Sequence, residues 1–239
     1  MDRVFLPISP GSFLALFLLS LKTMFLTVFG QKGGVAKTCT SLHLACVWAQ
    51  QGHSVCVVDA DRNRSATAYA ARGMLPFEVV PVEAAAKATR SAQVIITDGQ
   101  ASSHEEELKN LSAGADLVLL PTTPQARSVE LTIELSSILR GMDTMHVALL
   151  VKVDSRKQRL ANDARQTLEG FGVDVLAAEI PLLAAFEKAE VEGVCVSEAV
   201  DDRGRADLRR MGGWSGYCSA AVQIRERLLA KDGSQSMIA

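Results

Sequence analysis

Phe25-Leu26-Thr27-Val28-Phe29-Gly30-Gln31-Lys32-Gly33-Gly34-Val35-Ala36-Lys37-Thr38 is the stretch that decides the fold. Its first five residues are apolar, aromatic or β-branched and read as a buried strand. A glycine-rich turn follows, then a helix expected from about Lys37 to Gln51 and stopped by Gly52. Strand, glycine-rich turn, Lys-Thr and helix is the geometry of a triphosphate cradle. Backbone N–H groups of Gly33 to Thr38 converge on an anion, and the positive end of the helix dipole, worth ~0.3–2 kcal/mol near a charge, faces it. In this reading Lys37 reaches the β- and γ-phosphate oxygens and the Thr38 hydroxyl binds Mg²⁺. The ordinary pattern G-x-x-x-x-G-K-[ST] fails, because Gln31 and Ala36 stand where its glycines belong. The chain reads Lys-Gly-Gly-x-x-Lys-Thr instead. Gly33 and Gly34 supply the backbone freedom, and Ala36 is tolerable there if it is already right-handed helical.

Outward from this stretch, short apolar runs alternate with helix-like segments. Val55 to Val58 ends at Asp59, Val94 to Thr97 at Asp98, Leu117 to Leu120 at Pro121, and Val173 to Ile180 at Pro181; Phe77 to Val82 and Val147 to Val153 are further runs. Helices are expected over Glu105–Leu111, Ser128–Arg140, Gln158–Gly170, Ala184–Glu190 and Ala220–Ala230. This alternation predicts an α/β fold, a doubly wound and mostly parallel sheet with helices on both faces. Asp201 to Gly216, rich in Gly, Arg and Asp, reads as an exposed loop. Ligands of such sheets bind beyond the carboxyl ends of the strands. That directs attention to Lys32–Thr38, Asp59, Asp61, Asp98, Pro121–Pro124 and Asp154.

Composition agrees with a single α/β domain. Of 239 residues 48% are hydrophobic but only 5% aromatic, so aliphatic side chains must fill the core, as in parallel strands covered by Ala/Leu-rich helices. The net charge of −2 leaves any nucleic-acid contact to a local basic patch. Cys39, Cys46, Cys56, Cys195 and Cys218 contain no C-x-x-C pair, which predicts neither a disulfide framework nor a zinc or iron–sulfur site. His43, His53, His104 and His146 form no ligand cluster in sequence. The apolar run Phe13–Leu21 is shorter than the roughly 20 residues a membrane span needs. Asp2 and Arg3 precede it and no A-x-A-like cleavage site follows. Residues 1–23 are therefore expected to be an upstream extension, with Met24 opening a domain that runs to residue 239.

The phosphate-loop segment resembles the ParA/MinD group of deviant Walker A P-loop ATPases, and most of all the short ParA-type partition ATPases. The resemblance extends over most of the chain from Met24. Asp59-Ala60-Asp61 resembles the group's switch I, Ile95-Ile96-Thr97-Asp98 the end of its switch II strand, and Leu119-Leu120-Pro121-Thr122-Thr123-Pro124 its P-x-x-P loop. Ala185 to Gly193 resembles the stretch near the nucleotide base. The resemblance implies that Lys32, Gly33, Gly34, Val35, Ala36, Lys37, Thr38 and Cys39 bind ATP. Lys32, Lys37 and Asp61 are the implied catalytic residues. Lys32 reaches the nucleotide of the partner in an ATP-bound homodimer, and Asp61 positions the attacking water. Thr38 and Asp98, and more weakly Asp59, hold Mg²⁺. The sequence departs from the group where Arg62-Asn63 replaces Pro-Gln, where Gly99-Gln100-Ala101 replaces Thr-Pro-Pro, and where Leu150-Val151-Lys152-Val153-Asp154 lacks the asparagine many relatives direct at adenine.

The polar end Lys231–Ser236 lacks the basic amphipathic helix of membrane-bound division regulators. Paired cysteines for an iron–sulfur carrier are absent. The implied function is then DNA segregation by a cytoplasmic, nucleoid-associated switch ATPase. Its expected partners are a ParB-like or small centromere-binding protein and non-specific DNA, with no membrane. Candidate DNA contacts are Lys152, Arg156, Lys157, Arg159, Arg203, Arg205, Arg209 and Arg210. The alternative is a positioner of another cargo, or a nucleotide-binding scaffold.

Overall fold

Alternate residues along the strands enter two different apolar layers, and that alternation builds the molecule. The computed structural model describes residues 23–100, 105–200 and 210–236. Its strands are β1 (Met24–Val28), β2 (Val55–Asp59), β3 (Glu78–Pro81), β4 (Val94–Asp98), β5 (Leu117–Thr122), β6 (His146–Val153) and β7 (Val175–Pro181). They form one parallel sheet in the order β3-β2-β4-β1-β5-β6-β7. The helices are α1 (Lys37–Gln50), α2 (Ser65–Ala70), α3 (Ala85–Ala88), α4 (Glu105–Ser112), α5 (Ala126–Gly141), α6 (Gln158–Gly170), α7 (Ala184–Glu192) and α8 (Arg210–Ser236).

Leu26, Val28, Leu117, Leu119, Val147 and Leu149 share a core with Leu44 and Trp48 of α1 and Tyr217 and Ile224 of α8. On the opposite face Val118 and Leu120 pack with Leu108 of α4 and Leu135 and Leu139 of α5, and Ala148 and Leu150 pack with Ala161, Ala164 and Leu168 of α6. Covered on both faces, the central strands are apolar throughout, as a parallel sheet requires.

β1 lies between β4 and β5, and register pairs Val28 with Asp98 and Asp59 with Asp98. The turn after β1 and both aspartates are thereby gathered at one edge of the sheet. Thr23 is the first residue described and Met24 opens β1, so the reading of residues 1–23 lies almost wholly outside the described residues. No helix among the described residues is long and apolar enough to cross a membrane.

Two expectations are corrected here. The stretch read as a loop up to Gly216 is helical from Arg210 onward. Its glycines are packing devices, since a Cβ on Gly213 would stand 2.7 Å from the Phe186 ring and one on Gly216 2.7 Å from the Glu179 carbonyl oxygen. The absence of disulfide pairing is also overturned. Cys46 on α1 and Cys195 after α7 form a disulfide across 149 residues of sequence. Nothing in local spacing signals a pair that only the tertiary fold brings together.

Gly193, the left-handed C-cap of α7 (φ 67°), lies back to back with Gly73, leaving no room for a side chain at either position. Gly52 is also left-handed (φ 88°) but faces open space. Gly52→Ala should cost about 1 kcal/mol, the strain alone. Gly193→Ala adds a backbone clash and should cost about 3 kcal/mol. Guanidinium unfolding of the two variants measures the difference.

Candidate functional site

At the carboxyl edge of the sheet the turn from β1 into α1 forms an open cradle. Gly34 (φ 76°) and Ala36 (φ 58°) are left-handed, and Cβ atoms built on Gly33 or Gly34 would meet nothing within 4 Å. The right-handed conformation that would make an alanine easy to place there is not the one Ala36 adopts. As a non-glycine residue it carries roughly 1–2 kcal/mol of strain, in the position where the ordinary loop has glycine. The twist turns successive N–H groups toward one point. No side chain caps α1 and its first turn contains no acid, so its leading N–H groups lack a side-chain acceptor. An anion fits this cradle.

The Lys37 side chain is buried and its Nζ donates to the Lys32 carbonyl oxygen at 3.2 Å. Desolvation lowers its pKa, opposed by the negative charges of Asp98 and Asp61. Asp98 is fully buried and clamps the head of α1. Thr38 Oγ1 donates to its Oδ2 at 2.7 Å and Ser41 Oγ to its Oδ1 at 2.8 Å. Burial pushes the Asp98 carboxyl up to about 6, the two hydroxyl donors working against it. A buried carboxylate beside a hydroxyl at the phosphate end of a cavity is a hard-oxygen donor set that suits Mg²⁺.

Asp59 serves the backbone. Its Oδ1 accepts from the Asp61 N–H (3.2 Å), and its Oδ2 accepts from the Thr67 N–H (2.8 Å) and hydroxyl (2.7 Å). Asp61 folds an Asx turn through Asn63 N–H (2.9 Å) and lines the cavity. Arg64, itself left-handed, anchors this loop through the Asp59 carbonyl oxygen (2.8 Å) and Glu83 (2.6 Å).

The cavity holds about 490 Å³ and runs from the cradle past Gln100 to Val151, Lys152, Pro181–Leu183, Phe186, Glu187, Glu190 and Tyr217. Tyr69 and Tyr217 are lining residues that local sequence did not disclose. Tyr217 comes from α8, 178 residues beyond Cys39. Its hydroxyl lies 3.2 Å from Thr40 Oγ1 and 3.7 Å from Cys39 Sγ. His43 stacks on it (5.3 Å) and meets Phe186 edge-on (5.1 Å). His43 Nδ1 donates to the Cys39 carbonyl oxygen (2.8 Å), which leaves Nε2 to accept from Val196 N–H (3.1 Å). Burial lowers the His43 pKa to about 4, so the ring is a neutral strut between α1 and the segment beyond α7. The Cys39 thiol is pushed up to about 12 by burial, so it faces Tyr217 as a neutral group.

Lys32 is exposed and does not line this cavity in its own chain. The basic candidates are not one surface. Lys152 lines the cavity. Arg210 donates to the Ala199 carbonyl oxygen and helps seat α8. Arg156 forms a two-point ion pair with Asp154 (2.9 and 3.0 Å). Lys157 and Arg159 are exposed at the start of α6, and Arg203, Arg205 and Arg209 lie outside the described residues.

Residues 26–196 match the CobQ/CobB/MinD/ParA nucleotide binding domain, and the chain belongs to that family. It is 29% identical over 197 residues to Maintenance of carboxysome distribution protein A of Gloeobacter kilaueensis, covering 77% of this chain and 90% of that protein. The fold is similar to the MinD cell division protein of Aquifex aeolicus (TM-score 0.67, 14% identity, 85% of this chain and 97% of that one). It is also similar to an ATP complex of a variant McdA from Cyanothece (TM-score 0.65, 12% identity, 84% and 96%).

The raised pKa of Asp98 means that the fold prefers its protonated form. That contribution is fully present below the unfolded value of 3.8 and is lost as pH rises through about 6, a span worth ~3 kcal/mol. His43 has the opposite sign, its contribution present above 6.5 and lost as pH falls through about 4. Asp98→Asn should therefore stabilise the ligand-free protein by up to about 3 kcal/mol at pH 7. The gain should shrink as pH falls through 6 and be nearly gone by about pH 3, below the unfolded value of 3.8. Urea unfolding of both proteins across this range reads the difference.

Proposed function

We propose that this nucleotide-binding protein is a switch ATPase that dimerises on Mg²⁺·ATP and segregates DNA. The observation that carries the reading is the division of labour around the cradle. Lys37, Thr38 and Asp61 line one cavity at the cradle, with Asp98 buried behind them and bonded to Thr38, while the signature Lys32 is exposed outside it.

In this reading the cradle N–H groups and Lys37 bind the phosphates. Thr38 and Asp98 would hold Mg²⁺, which offsets charge on the β- and γ-phosphate oxygens. Asp61, an acceptor already fixed by its turn, orients the attacking water. Lys32 is free to complete the site of a second copy, so hydrolysis waits on dimerisation. To move such a two-state equilibrium decisively, ATP must favour the dimer over ADP by about 5 kcal/mol. Lys157 and Arg159 at the head of α6 are the described cations best exposed for non-specific DNA. A centromere-binding partner would stimulate turnover and release. A second reading, a positioner of another cargo, is favoured by the likeness to the carboxysome distribution protein. Both readings share the nucleotide switch and differ in what the dimer holds.

The test is hydrolysis, sedimentation and duplex-DNA binding in ATP and ADP, for the native chain and Lys32→Ala. The native chain should form an ATP-dependent dimer with slow turnover and salt-sensitive DNA binding. Lys32→Ala should still bind ATP but lose the dimer and at least tenfold in hydrolysis. Full hydrolysis by Lys32→Ala would overturn the switch. A dimer without DNA affinity would move the assignment to the second reading.

A further inference from the structure

Lys152 sits at an irregularity that aims it into the cavity. Pairing between β6 and β7 shifts register between Leu150 and Val153, and within that bulge Lys152 is left-handed (φ 55°). A lysine in this region carries roughly 1–3 kcal/mol of strain and persists only where its surroundings impose it. Bulges beside sites commonly re-aim one side chain. Here the result is that Val151 and Lys152 both line the cavity beyond the phosphate end. Apart from Lys37, Lys152 is the only cation among the described lining residues, and its charge reaches the Cys39 thiol at the first turn of α1. Glu187 and Glu190 of α7 also line this cavity, Glu190 in a 3.4 Å ion pair with Arg72.

We propose that Lys152 is a base-specificity residue and that it opens the site to 6-oxopurine nucleotides, GTP and ITP, alongside ATP. This rests on the nucleotide-site reading above. An adenine reader needs an acceptor for the 6-amino group, usually a carboxamide. Val151 offers no side-chain polar atom, and an ammonium group only donates. Guanine presents the reverse edge, with O6 and N7 as acceptors that lysine recognises and with N1–H and N2–H₂ as donors. Lys152 on O6, with Glu187 or Glu190 on the N1–H and N2–H₂ side, matches that edge. With adenine the ammonium would face the 6-amino group, another donor, so Lys152 gives ATP no base-edge hydrogen bond and gives GTP one, which offsets the usual ATP preference.

The experiment is equilibrium binding of ATP, GTP and ITP with Mg²⁺ to the native chain, Lys152→Met and Lys152→Gln. Thermal unfolding confirms that each variant is folded. In the native chain GTP and ITP should bind within tenfold of ATP. ITP, which keeps O6 and lacks the 2-amino group, should follow GTP. Lys152→Met should shift the GTP/ATP affinity ratio at least tenfold toward ATP, and Lys152→Gln should shift it in the same direction. An ATP preference above a hundredfold in the native chain, or an unchanged ratio in both folded variants, would overturn the proposal and leave the nucleotide site standing. Failure to bind any of the three nucleotides would overturn both.

Discussion

The Asp98 clamp is the interaction on which the site depends. One buried carboxylate at the end of β4 receives hydroxyls from Thr38 and Ser41 on successive turns of α1. It thereby fixes the phosphate loop against the sheet edge. Lys37, whose charge opposes that of Asp98, is itself desolvated and bonded to the Lys32 carbonyl oxygen. A left-handed Ala36, an uncapped helix head, a desolvated lysine and a buried acid are each costly alone. Together they describe a site whose charges are completed by a bound anion and cation, with stability given up for preorganisation.

A second constraint couples the two ends of the cavity. α7 forms the wall beyond the phosphates, and three links tie the segment after it to the rest of the domain. These are the Cys46–Cys195 disulfide, the Val196 N–H to His43 hydrogen bond, and the Tyr69 hydroxyl on the Val194 carbonyl oxygen. His43 therefore connects Cys39, one residue past Thr38, to the far wall through one neutral ring. The aromatic cluster of His43, Phe186 and Tyr217 fills the space between with few rotatable bonds. Movement at the base end of the cavity would be felt at the head of α1.

Much of the fold was legible because parallel strands announce themselves. Val55–Asp59, Val94–Asp98 and Leu117–Thr122 are short apolar runs that end on Asp or Pro, and all three are strands within a residue or two of expectation. α6 matches the expected Gln158–Gly170. The beginning of α8 was not legible, since Gly212, Gly213 and Gly216 imitate a loop. Gly213 and Gly216 serve close approach to Phe186 and to β7, which depends on where α7 and β7 lie.

By itself the sequence determined the fold class, the glycine-rich turn at Lys32–Thr38 between strand and helix, and the strand-end aspartates, because these depend on local periodicity and on residues adjacent in the chain. Only the tertiary structure decided the rest of the site. It set Ala36 left-handed, paired Cys46 with Cys195, brought Tyr217 onto Cys39, and placed the exposed Lys152 among the residues lining the cavity, beside a register shift. Each of these depends on which distant segments share a face of the sheet and on the bulge that redirects a side chain, and neither is written in the order of neighbouring residues.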